Sequence, residues 1–236
     1  MIEITPDRWV LWQIGPFALN ATIVFTWAVM LILVVGAATI TRRLSSQPEL
    51  TRWQNLLEVL VTGIRDQIRA VSRQEPGRYL PFVGTLFLFI AVSNLLAVVP
   101  GWRPPTASLS TTTALALCVA VAVPVFGVAN EGLAAYLRHY VKPTVFMLPF
   151  NLIGEFSRTL ALAVRLYGNI MSGTVLVGLL LSLTPFFFPV VMQLLGLLTG
   201  LIQAYIFAVL AMVYIASAAT AGGAHVKDST EESTNG

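Results

Sequence analysis

The sequence predicts an all-α, polytopic membrane protein with about five transmembrane helices and one amphipathic helix at the interface. Three observations carry this. The 236 residues are 56% hydrophobic and only 11% charged, with a mean hydropathy of +0.79, whereas soluble domains carry about 25% charged residues. The apolar residues gather in runs long enough to cross ~30 Å of hydrocarbon, and the chain length allows five or six of them. One intervening segment is periodic but too charged to span, and suits the headgroup layer instead.

Composition also removes function classes. The single cysteine, Cys118, excludes an internal disulfide, and its flanks LALCVAVAV suit a lipid-facing or packed thiol. His139 and His225 are far apart, so no metal site is expected. There is no Gly-rich phosphate loop and no nucleophile elbow. Energy from nucleotide must then come from another subunit, and no cofactor or nucleic-acid partner is implied. The acidic start MIEITPD and the long first apolar run do not fit a cleavable signal peptide.

Residues 1–17 read as an external lead-in, with Trp9 and Trp12 as interface anchors. The first span covers 18–41 and carries no chemistry. Residues 49–75 form the amphipathic helix. Leu50, Trp53, Leu57, Leu60, Ile64, Ile68 and Val71 recur every three or four positions, and Arg52, Glu58, Arg65, Asp66, Arg69 and Arg73 take the other face. Such a helix can lie on lipid or dock a partner subunit, and its sequence fits both.

The second span is Tyr79–Val99, where Asn94 is expected to bond between helices. PGWRPPTASLSTTT then breaks the helix. The hydroxyls from Ser108 to Thr113 are expected to cap the third span, Leu109–Tyr136; lining a wet vestibule is the alternative. Pro124 is expected to kink that span, and Glu131 is read as an interfacial charge. The fourth helix covers Thr144–Leu183. At ~60 Å it is twice the hydrocarbon thickness, so it either breaks near Pro149 or runs tilted. On the fifth, Phe188–Ala221, Gln193, Gly196, Gly200, Gln203, Phe207 and Tyr214 share one face. Its two glycines would let a neighbour approach closely. Residues 222–236 are polar and read as a disordered cytoplasmic tail.

The chemistry concentrates in Asn151–Gly173, NLIGEFSRTLALAVRLYGNIMSG. Glu155, Arg158, Arg165 and Asn169 fall in one quadrant of this otherwise apolar helix, with Leu162 and Ser172. An arginine at mid-bilayer costs about 2.5–3.5 kcal/mol on insertion scales, and it cannot shed its charge. Arg165 therefore needs a buried or hydrated partner. A site on an ion pathway is the preferred reading, and a structural ion pair between helices is the alternative.

Arginines set the orientation. Arg42, Arg43, Arg52, Arg65, Arg69, Arg73 and Arg78 lie between the first two spans, and Arg138 and Lys142 follow the third. The opposite loops hold only Arg8 and Arg103. The positive-inside rule places the N-terminus outside and the C-terminus in the cytoplasm.

Four fragments resemble, in order, the stator a subunit of rotary F-type ATP synthases. EFSRTLALAVRLYGN (Glu155–Asn169) is similar to that family's EFSRPLSLALRLFGN, and QAYIFAVLAMVYIASA (Gln203–Ala218) to its last helix. SNLLAVVP (Ser93–Pro100) and PTASLSTTTALAL (Pro105–Leu117) match as well. The resemblance covers residues 80 to 220. It implies a channel-forming helical domain over 79–221 whose last two helices are long, tilted and antiparallel. It implies as partners a rotor ring of c subunits with a membrane carboxylate, peripheral-stalk b subunits and the lipid of a bacterial inner membrane. Arg165 takes the place of the family's essential arginine, Asn169 of the polar residue one turn on, and Gln203 of the glutamine facing that arginine. Glu155 and Arg158 match the acidic and basic residues leading in.

Three departures stand out. Thr159 replaces a frequent proline, and Ser108 and Ser110 replace Asp and Asn. Thr174 and Gly196 stand where many members carry an acid and a histidine. Ser172, Thr174, Gln193 and Thr199 would then carry the ion with water, and such oxygens suit a hydrated Na⁺ or a relayed proton. Two rivals remain at this stage. A secondary transporter would show inverted repeats, and none is found by eye. An intramembrane transferase or protease needs a nucleophile or an acid pair, which Glu155 alone does not supply.

Overall fold

A computed structural model describes residues 10–14, 17–42, 52–72, 75–99, 101–133, 136, 147–183 and 188–220. Trp9, the Arg138–Lys142 loop, the Thr184–Pro185 turn and the tail 222–236 lie outside them, as does the side chain of Glu131. Six α-helices are described: α1 (Ala21–Thr41), α2 (Arg52–Ser72), α3 (Leu80–Leu96), α4 (Leu109–Glu131), α5 (Met147–Leu183) and α6 (Phe188–Thr220). The all-α, polytopic reading holds. Four of the helices, α1, α4, α5 and α6, are long and apolar enough to cross a membrane, and α3 is apolar but has 17 residues.

Several boundaries differ from expectation. The lead-in is not featureless: Val10–Ile14 and Phe17–Asn20 pair antiparallel, with Trp12 opposite Leu19. The first helix accordingly starts at Ala21 and not at 18. The third span stops at Glu131 because Gly132 takes φ 85°, a left-handed conformation open to glycine that ends a helix. α5 is not broken at Pro149. Its described residues run without a break from Met147 to Leu183, across the proline. α4 likewise continues across Pro124.

The helices alternate in direction. At one end, the hairpin end, the start of α1 meets the α3–α4 turn, with the Phe25 and Trp102 rings 4.8 Å apart. At the other, the arginine end, Arg78 donates to Asn130 Oδ1 at 2.6 Å, and Asn130 donates to the Tyr79 hydroxyl at 2.7 Å. These bonds tie the start of α3 to the end of α4.

Among the spans, lipid is as apolar as leucine, so association rests on close packing and interhelical hydrogen bonds. The buried face of α6 is built for that, with Gly200, Ala204, Ala208 and Ala211 at helical spacing. Against it pack Phe89 and Ile90 of α3, Val119 of α4, and Leu162 and Leu166 of α5. α2 adds a second cluster in which Ile68 packs with Tyr79, Val83, Met212 and Ile215. Its Glu58, Arg65, Asp66 and Arg69 are exposed, as the periodicity predicted. The outer surface is apolar, with Leu31, Val34, Val121, Phe156 and Leu195 exposed. Aqueous exposure of so much apolar surface would drive association, whereas a bilayer solvates it.

Asn94 is bonded between helices as expected. Its amide donates to the Gly200 carbonyl at 2.8 Å, and Thr106 Oγ1 donates to Asn94 Oδ1 at 2.9 Å. The close approach belongs to Gly200 alone: a Cβ there would sit 3.1 Å from Asn94 Nδ2, whereas one on Gly196 would meet nothing within 4 Å. The expected Ser108 cap is absent. Its hydroxyl instead lies 2.6 Å from that of Ser110, a local pairing that competes with the cap.

Candidate functional site

Arg165 is the nineteenth of the 37 residues of α5, so it stands at the helix midpoint. Leu162, Ala163 and Leu166 are buried, whereas the Arg165 side chain is exposed. It points away from the bundle because the core-facing stripe of α5 is already filled. Among the described residues, no hydrogen bond or ion pair within the chain reaches its guanidinium. The structural ion pair weighed from the sequence is thus not formed with any of the described residues.

The surface around Arg165 is low. Gly154, Ala161, Gly168 and Ser172 share its side of the helix, and a Cβ on either glycine would meet nothing within 4 Å. The sequence carries the signal for this strip, small residues at 154, 161 and 168, seven apart. Sequence reasoning followed the polar residues and passed over it.

About 40° round the helix from Arg165, Asn169 reaches α6: its amide donates to the Thr199 carbonyl at 3.2 Å. Thr199 Oγ1 donates to the Gly196 carbonyl at 3.1 Å. The Ser172 and Thr174 hydroxyls each donate to their own helix, to the carbonyls of Asn169 and Ile170, and keep acceptor capacity. Gln193 Nε2 donates to the Ala97 carbonyl at 3.2 Å. Gln203 is buried, and its amide nitrogen finds no acceptor among the described residues. It does not bond Arg165, because its face of α6 is turned into the core while Arg165 is turned out. The structure thus joins Asn169 with Thr199 but leaves Arg165 and Gln203 unconnected.

Two cavities flank this level. The hairpin-end cavity, about 420 Å³, lies between α5, α6 and the end of α3; Asn94, Arg103, Asn169, Thr174, Gln193 and Gly196 are among its walls. Its described lining contains amides, the hydroxyls of Thr174 and Ser182 and one arginine, and no carboxylate. Gly196, expected at a packing seam, opens onto this space. The arginine-end cavity, about 450 Å³, includes Asn151, Glu155, Arg158, Thr159 and Tyr214. Here the Arg158 guanidinium carbon lies 5.5 Å from the centre of the Tyr214 ring. Thr159 Oγ1 donates to the Glu155 carbonyl at 2.9 Å. Arg165 lines neither cavity; along α5 it falls between them. Among the described residues no cluster of His, Cys, Asp or Glu could hold a metal ion.

Fold and site together define a multi-pass membrane protein whose two longest helices carry a polar seam with an outward arginine at mid-length. The chain belongs to the ATP synthase A chain family, whose profile matches residues 23–216. It is 63% identical over 217 residues to ATP synthase subunit a 2 of Acaryochloris marina (strain MBIC 11017), covering 92% of this chain and 93% of that one. It is 60% identical to ATP synthase subunit a of Albidiferax ferrireducens, over 92% of this chain and 94% of the relative. With ATP synthase subunit a of Nitrosospira multiformis it shares 55% identity over 98% of this chain and 92% of that one.

Proposed function

We propose that the chain is the stator a subunit of a rotary F-type ATP synthase and provides two half-channels that carry protons or Na⁺ to and from rotor-ring carboxylates. It is non-catalytic itself; ion flow through it is coupled to ATP synthesis or hydrolysis elsewhere in the complex. The observation that carries this reading is the pair of cavities at opposite ends of α5, with Arg165 between them and in neither.

Each cavity would be one half-channel, reaching the membrane middle from one side. The outer path would use Asn169, Ser172, Thr174, Gln193 and Thr199, and the inner one Glu155, with Arg158 on the wall beside it. Gln203 would rotate or hydrate to serve Arg165. A carboxylate on the neighbouring ring of c subunits would pass over the low strip of Gly154, Ala161 and Gly168. Opposite Arg165 the fixed positive charge favours its ionised form, so it releases its ion. The same charge bars leakage between the half-channels. Lysine is a poor substitute, because its charge is a titratable point and not a planar fork. The exposed charges of α2 suit docking of peripheral-stalk b subunits. Positive-inside charge places the arginine end and the C-terminus in the cytoplasm and the N-terminus outside a bacterial inner membrane.

The deciding experiment is Arg165→Ala in the whole complex. The variant should assemble at normal level and lose ATP-driven ion pumping in inverted vesicles. Near-normal pumping would sink the reading.

A further inference from the structure

Arg158 presents a problem that the half-channel reading does not resolve. It lies seven residues before Arg165, so the two share one side of α5, within about 20°, and are ~10.5 Å apart along the axis. Both side chains are exposed. A carboxylate moving along this strip would therefore meet two cations, and the second would hold it ionised away from the point of exchange.

The geometry removes Arg158 from that encounter. Its guanidinium is drawn over the Tyr214 ring of α6 at 5.5 Å, on the side of the arginine-end cavity that Glu155 also lines. An aromatic face attracts a cation without neutralising it. Tyr214 is half-buried and sits eleven residues after Gln203, on the same face of α6.

We propose that Tyr214 is a positioning residue that parks the Arg158 guanidinium against α6, so that Arg165 and not Arg158 meets the rotor carboxylate. This rests on the stator reading above. Tyr214 fixes where Arg158 stands, and the unparked arginine is itself the source of harm.

The test is ATP-driven pumping per assembled complex, with complex levels measured by immunoblot. Tyr214→Phe keeps the aromatic face and should pump like the wild type. Tyr214→Leu keeps bulk but loses the face, and should pump roughly fivefold more slowly, the weight of one such contact. Adding Arg158→Gln to Tyr214→Leu should restore pumping above that of Tyr214→Leu alone. A merely structural tyrosine predicts no such rescue, and a double variant no better than Tyr214→Leu would overturn the proposal. So would a Tyr214→Phe variant as slow as Tyr214→Leu. Arg165→Ala in the same assay separates the two claims: if it pumps, the stator reading falls, and if it does not, a failed rescue counts against Tyr214 alone.

Discussion

The two cavities have nearly equal volume and different chemistry. The hairpin-end cavity is walled by Asn94, Asn169, Thr174 and Gln193, with Arg103 the one charged side chain among its described residues. The arginine-end cavity carries Glu155, Arg158 and Tyr214 together. One end offers mainly neutral dipoles beside a single arginine, and the other a carboxylate and an arginine together. On the stator reading, an ion crossing the first would be passed between neutral oxygens and water, and an ion crossing the second would meet a carboxylate. If the two cavities are the proposed half-channels, the difference teaches that a pathway need not use the same chemistry on both sides of its arginine. What the sides would have to share is access to the same rotor carboxylate.

That contrast can be broken in four ways. The largest effect is expected from Arg165→Lys, which keeps the charge but should still lose most coupled pumping, because the fork geometry goes; pumping close to wild type would mean that charge alone separates the cavities. Next, single cysteines should label from opposite sides. With the exposed Cys118 first changed to serine, Thr174→Cys should react with an impermeant thiol reagent from the hairpin side only. Thr159→Cys should react from the arginine side only. Labelling of both from one side would merge the cavities into one. Third, Glu155→Gln should slow pumping severalfold while Thr174→Val slows it much less, and the reverse order would invert the assignment of chemistry to ends.

The smallest effects concern the walls. Asn94→Leu removes the bonds to Gly200 and Thr106 and leaves the buried Thr106 hydroxyl without its acceptor, a loss of about 1–3 kcal/mol. It should lower the thermal stability of the detergent-solubilised complex. Gln193→Leu breaks one bond of an exposed side chain and should cost under about 1 kcal/mol. Equal losses in the two variants would mean that the hairpin-end cavity is not framed by Asn94.

The site was legible to the extent that it depends on one helix. A charge inside an apolar run is conspicuous because its insertion cost must be met, so Arg165 and its stripe are visible without coordinates. Asn94 was legible for the same reason. What failed were statements about which neighbour a residue meets. Ser108 looked like a cap, and a nearer hydroxyl took it. Gly196 and Gly200 looked alike, but only Gly200 has α3 against it. Gln203 was expected opposite Arg165, and the packing of α6 turned it inward.

The sequence by itself determined the class, the helix count, the amphipathic helix and the arginine at mid-length, because hydropathy, periodicity and charge are properties of consecutive residues. Tertiary structure alone decided that two cavities open at opposite ends of α5, that Arg165 belongs to neither, and that the Arg158 guanidinium lies over the Tyr214 ring. Those facts depend on how antiparallel helices set their register. That register is fixed by small residues and hydrogen bonds between segments far apart in the chain, Asn94 on Gly200 and Asn169 on Thr199, which no single stretch contains.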